Sequence, residues 1–128
     1  MNTQTASSAG IEHVNITVTN PESTARMLCE LFDWTIRWQG PSRMGGRTVH
    51  VGTEDQYLAV YTPEQRLDRI RTGALNHVGI TVVDLEATEA RIRAAGYETF
   101  NHGDYEPGRR FYFLDGDGIE YEIVTYDE

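Results

Sequence analysis

The chain has 128 residues, 11 of them basic and 20 acidic, for a net charge of −9 at neutral pH. That length is one domain with room for a buried core, and that charge argues against nucleic acid or an acidic membrane surface as partner, since both require basic patches. A single cysteine, Cys29, excludes an internal disulfide and a cysteine-rich zinc site, so a reducing cytoplasm is the expected location.

Residues 1–9 open the stretch "MNTQTASSAG", which is polar and lacks the apolar segment of a signal peptide; a flexible tail is expected there. No run approaches the ~20 apolar residues of a membrane span. The first strand is expected over Ile11–Val18. It alternates strictly, with Val14, Ile16 and Val18 on one face and His13, Asn15 and Thr17 on the other. Asn20 is placed to cap a following helix whose first residue is Pro21, with Thr24, Leu28 and Leu31 as its inward stripe. Three shorter strands follow, over 34–39, 47–51 and 56–61. The stretch "TPEQRLDRIRTG" then offers Thr62 as a cap and Gln65 to close a capping box, so a linker helix is expected over 62–73.

The same unit then recurs. "HVNITV" at His13 returns as "HVGITV" at His77, and the pairing of residue i with i+64 carries through Asn20 with Asp84, Glu22 with Glu86 and Thr24 with Thr88. "GRTVHVG" at 46–52 matches "GRRFYFL" at 108–114 at an offset of 62, the difference falling in a loop, where it costs little. The second unit has a strand over 75–83 and a helix capped by Asp84, with Leu85, Thr88, Ile92 and Ala95 inward and Gly96 as its stop. Strands over 98–100, 110–114 and 120–124 complete it. The expected architecture is α+β: module 10–61, linker 62–73 and module 74–126, two tandem βαβββ units forming a cupped, partly open mixed barrel with helices outside. One sheet face packs on a helix; the other, carrying His, Asn, Thr, Tyr and Glu, lines a wet concavity.

Three polar residues stand out on that face. His13 and His77 head the first strand of each unit, and Glu122 sits inside a terminal strand between the helix-facing Tyr121 and Ile123. Such a carboxylate is costly unless something positive meets it. If the units pack about a pseudo-twofold axis, the three converge. Two imidazoles and one carboxylate suit a single divalent ion: iron(II), manganese, nickel, zinc or cobalt. Three protein ligands leave positions open for water or substrate. The plainer alternatives are two hydrogen-bonded surface histidines, and a Glu122 paired with Arg109 or Arg110. Strand parity adds Thr48, His50, Arg110 and Tyr112 to the concave face, with His50 and Tyr112 equivalent across the duplication and able to act as acid/base or hydrogen-bond donors. Asn15, two residues along from His13, could donate to a substrate oxygen. The loops that end in Arg47, Arg109 and Arg110 read as cavity rims suited to an anionic or enolate-forming substrate; surface ion pairs explain these arginines equally well.

These residues resemble the vicinal oxygen chelate superfamily, the group of glyoxalases, bleomycin-resistance proteins and extradiol dioxygenases. The resemblance rests on "NHVGITVVDLEATEARIRAAGYE" followed by "GRRFYFLDGDGIEYEIV", close to the pattern H-V-x-h-x-V-x-D and F-D-P-D-G-N-x-h-E-h. It implies one divalent metal held by His13, His77 and Glu122, bidentate chelation of two vicinal oxygens of a small organic substrate, and a homodimer. It leaves open lyase, isomerase or extradiol dioxygenase chemistry. Glyoxalase-type isomerases usually carry a fourth ligand in the last strand of the first unit. Ungapped alignment puts Val60 there, with Ala59 and Tyr61 beside it; none of these binds metal well, which disfavours lactoylglutathione lyase activity. "YFLDGDGIEYE" comes near the dioxygenase stretch Y-x-x-D-P-x-G-x-x-x-E, but Gly116 replaces the proline and no histidine has the expected spacing before Tyr112. The alternative is a non-catalytic, bleomycin-resistance-like protein that sequesters a cationic drug in the same cup.

Overall fold

Alternation in "HVNITV" and "HVGITV" places Ile16 and Ile80 in the buried core in both halves of the computed structural model, which describes residues 11–43, 45–68, 73, 75–105 and 108–126. The tail expected over 1–9 lies outside the described residues. The first module runs β1 (His13–Thr17), α1 (Pro21–Phe32), β2 (Thr35–Pro41), β3 (Arg47–Gly52) and β4 (Tyr57–Thr62). The second runs β5 (Val78–Thr81), α2 (Leu85–Ala94), β6 (Thr99–Tyr105), β7 (Gly108–Leu114) and β8 (Glu120–Thr125). The strands form two four-stranded sheets in the same order, β1-β4-β3-β2 and β5-β8-β7-β6. In each the first strand runs parallel to the last and the other pairs are antiparallel. The result is α+β, two βαβββ modules whose sheets are cupped and not closed into barrels.

Both helices begin as their caps dictate. The Asn20 and Asp84 side chains accept from the backbone N–H of Ser23 and Ala87, three residues on, which satisfies donors with no partner in the first turn. The second helix stops at Ala95, with Gly96 beyond it at φ +101°, the left-handed conformation that glycine adopts without strain. The expected linker helix is absent from 62–68: Thr62 ends β4, and residues 63–68 carry only bends. A strand ending at Thr62 keeps that residue in the sheet ladder, so it cannot cap a helix. Residues 69–72 lie outside the described residues.

One continuous core joins the modules. It includes Ile16, Leu28, Val49 and Val60 from the first and Ile92, Phe111, Phe113, Tyr121 and Ile123 from the second. Two polar clasps hold the halves in register. Asp117, in the β7–β8 turn, accepts from the Thr19 hydroxyl at 2.8 Å; Arg91 on α2 donates to the Leu31 carbonyl of α1 at 2.9 Å. The D-x-D-G turn has its own logic. Asp115 accepts from the backbone of Asp117 and Ile119 and from the buried Tyr121 hydroxyl at 2.9 Å, while burial pushes its carboxyl above the ordinary range. Asp115→Ala leaves the fully buried Tyr121 hydroxyl without its acceptor. It is expected to cost about 1–3 kcal/mol, read as a lower midpoint in urea unfolding with unchanged slope. An unchanged midpoint overturns this account of the turn.

Register corrects one alignment. His50 pairs with Ala59, and Tyr112 pairs with Glu122, so the counterpart of Glu122 is Ala59. Val60 is fully buried on the helix side, as Ile123 is. The offset moves from 62 to 63 because the turn after β3 spans residues 53–56 and the turn after β7 spans 115–119, one residue more.

Each outer edge strand carries a bulge. In β2 the register shifts between Ile36 and Trp38, which puts Trp38 opposite His50 on the concave face. In β6 it shifts between Phe100 and Gly103, after Phe100 has paired with Tyr112. There Asn101 adopts φ +59°, and His102 turns to the helix side, 2.6 Å from Glu89 and stacked near Phe111.

Candidate metal centre

The concave face of the second sheet gathers His77, Arg110, Tyr112 and Glu122. His77 immediately precedes β5, and the β8 alternation that buries Tyr121 and Ile123 turns Glu122 toward it. His77 Nε2 lies 3.0 Å from Glu122 Oε1, and Arg110 Nη1 donates to Glu122 Oε2 at 2.8 Å. Both Arg110 and Glu122 are largely sheltered, with side chains 12% and 13% exposed. Tyr112 meets the His77 ring edge-on, centroids 5.9 Å apart.

The other nitrogen of His77 decides what this pair can bind. Nδ1 stands 2.7 Å from the Asn76 side-chain oxygen, which can only accept, so Nδ1 carries the proton. Nε2 then turns a lone pair on a carboxylate oxygen, and two acceptors at 3.0 Å need a cation between them. A proton on the ring answers, and so does a metal ion. Two ligands each ~2.1 Å from one ion at a right angle sit about 3.0 Å apart, which is the separation found. The donor set fits a borderline divalent metal.

The first sheet presents a different surface. His13, Tyr57, His50 and Trp38 form a row of rings, with centroids of 4.9 Å for His13 to Tyr57, 4.5 Å for Tyr57 to His50 and 5.0 Å for His50 to Trp38. His13 Nδ1 bonds Glu12 Oε1 at 3.0 Å, and the Tyr57 hydroxyl donates to the same oxygen at 3.3 Å. The bond from His13 is the main reason the Glu12 carboxyl sits below its ordinary range. Burial is the main reason His50 is pushed down, with the charges of His13 and Arg37 adding to it, so at neutral pH its ring favours the form that accepts a proton. Asn15 is exposed on β1, opposite Ala59.

One chain therefore unites His77 with Glu122 and leaves His13 with His50. Among the described residues no three His, Cys, Asp or Glu side chains are gathered closely enough to hold an ion. A cavity of about 500 Å³ opens between β1 and β5, where it meets Glu12, His13, Tyr57 and Gly79 but neither His77 nor Glu122. Of the three rim arginines, only Arg110 reaches the concave face. Arg47 pairs with Glu22 at 2.8 Å and Arg109 with Glu86, the same ion pair in each module, tying the first turn of a helix to the start of a strand. Parity reasoning passed over Glu12 and Asn76. The signal was an acceptor side chain immediately before each histidine.

The chain belongs to the glyoxalase/bleomycin resistance protein/dioxygenase superfamily, whose model matches residues 10–123. No curated protein matches the chain at a significant level of sequence similarity. Among solved structures, a glyoxylase/bleomycin resistance protein/dioxygenase domain from Frankia sp. EAN1pec is similar at TM-score 0.79 and 20% identity, over 94% of this chain and 100% of that one. TnmS3, an antibiotic binding protein from Streptomyces sp. CB03234, is similar at TM-score 0.75 and 16% identity, over 96% and 100%. FosX, a fosfomycin resistance protein from Listeria monocytogenes complexed with Mn(II) and sulfate, is similar at TM-score 0.71 and 17% identity, over 93% of each chain. Among the described residues no helix is long and apolar enough to cross a membrane.

Proposed function

We propose that the protein is a metal-dependent enzyme acting on a small organic molecule, and that His77 and Glu122 of one copy and His13 of the partner subunit hold one divalent ion in a homodimer. The observation that carries this reading is the His77–Glu122 pair, two acceptors 3.0 Å apart whose histidine is locked by Asn76 with its lone pair inward. An ion held there supplies Lewis acidity and a template for two vicinal oxygens of the substrate. The chain's own residues do the rest. His50, pushed down chiefly by burial, is placed to accept a proton. Tyr112 donates a hydrogen bond at the edge of His77. Arg110, beside Glu122, is placed to meet negative charge on the substrate, and Asn15 to hydrogen-bond one of its oxygens. Ala59 in place of a fourth ligand argues against lactoylglutathione lyase activity and leaves lyase, isomerase or extradiol dioxygenase chemistry.

A second reading has its own support. Arg110 already neutralises Glu122 at 2.8 Å, so the carboxylate is stable without an ion, and the acidic chain suits a cationic drug bound without chemistry. Metal analysis by mass spectrometry, repeated after anaerobic iron(II) loading with oxygen uptake followed, separates the two. The enzyme reading expects stoichiometric metal that His13→Ala abolishes. A metal-free, fully folded protein that binds an organic cation tightly would sink it.

A further inference from the structure

The residues before the two histidines are not equivalent. Asn76 offers a neutral amide oxygen to His77 at 2.7 Å. Glu12 offers a carboxylate to His13 at 3.0 Å, and that carboxylate is itself held. The Tyr57 hydroxyl donates to it at 3.3 Å, and the Arg37 guanidinium lies 4.4 Å over the Tyr57 ring. Arg37 is anchored in turn by its bond to the Thr53 carbonyl at 3.2 Å. A chain of four side chains thus leads from β2 through β4 to Nδ1 of His13.

We infer that Glu12 is a positioning residue: held by Tyr57, whose ring Arg37 covers, it fixes the proton of His13 on Nδ1 and exposes Nε2 as the binding atom. The inference deepens the metal reading above and rests on it for its purpose. A carboxylate partner acts on imidazole as the outer-shell acceptors of metal sites do, orienting the ring and raising its basicity; losing such a partner typically weakens metal binding about 10–100-fold. The two modules therefore offer unequal ligands, a charged pair and a neutral one. Glu12 has no structural burden that would confuse the result, since its side chain is 65% exposed.

The test has one arm that needs no metal. Long-range proton–nitrogen NMR of histidine-labelled, metal-free protein in alkaline buffer is expected to show His13 protonated on Nδ1. Glu12→Ala shifts that ring toward the Nε2–H form, Glu12→Gln retains Nδ1–H because its amide oxygen still accepts, and His77 is unmoved in both. In the second arm, calorimetric titration with zinc alone is expected to weaken about 10–100-fold in Glu12→Ala, to recover in part in Glu12→Gln, and to tighten in Asn76→Asp. A wild-type His13 carrying its proton on Nε2 overturns the inference, as does a Glu12→Ala protein with unchanged tautomer and zinc affinity. If wild type binds no zinc but the tautomers behave as expected, the metal reading falls and the positioning role stands.

Discussion

Glu122→Ala is expected to lose bound metal altogether and to be the least stable of the site variants. A direct ligand should matter more than an outer-shell partner, so affinity should fall by more than ~100-fold. Stability falls for a separate reason. Arg110, with a side chain 12% exposed, loses the carboxylate it bonds at 2.8 Å, and stripping one partner from a sheltered ion pair costs about 3 kcal/mol. Glu122→Gln separates the two effects. Its amide oxygen still accepts from Arg110 and keeps much of the stability, but it is a poor ligand without the charge. Metal content and urea unfolding measured on both variants check this. Wild-type metal in Glu122→Gln would remove Glu122 from the ligand set.

The second large effect appears only on mixing. His13→Ala and Glu122→Ala proteins should each purify without metal. Unfolded together and refolded at equal concentration, they should regain about a quarter of the wild-type metal, because half the dimers are mixed and each mixed dimer has one of its two sites intact. The arithmetic follows from the separation of His13 from the His77–Glu122 pair in one chain. If a single chain closes its own site, mixing restores nothing. Metal counted by mass spectrometry after size exclusion decides between the outcomes.

The two βαβββ modules were legible because their signals are local. Alternation about His13 and His77, caps at Asn20 and Asp84, and Gly96 after the second helix each act within one turn or strand; the caps and Gly96 stand as expected, while Val14 and Ala95, expected inward, are exposed because each lies at the open end of its element. The relation between the modules was not legible in the same way. It depends on Thr19 reaching Asp117 and Arg91 reaching Leu31, contacts across 98 and 60 positions that no periodicity encodes. The counterpart of Glu122 is Ala59 and not its neighbour Val60 because a turn one residue longer slips the register, and a slip of one reverses every face. The aromatic row was hidden for a related cause: without the bulge beside Arg37, Trp38 would fall on the helix side. Thr62 satisfied every rule for a helix cap and is claimed instead by its pairing with Arg47.

The paired bulges have a consequence beyond the rings they sit beside. Two four-stranded sheets expose four edges, at β1, β2, β5 and β6, and a bare edge is a template on which other chains can polymerise. The longest of these, β2 and β6 at seven residues each, are the two that carry the irregularities, while β1 and β5 run only five and four. A kinked long edge and a clipped short one both make poor templates. In β2, the same extra residue that aims Trp38 into the cup therefore also makes that edge a poor template for a fibre.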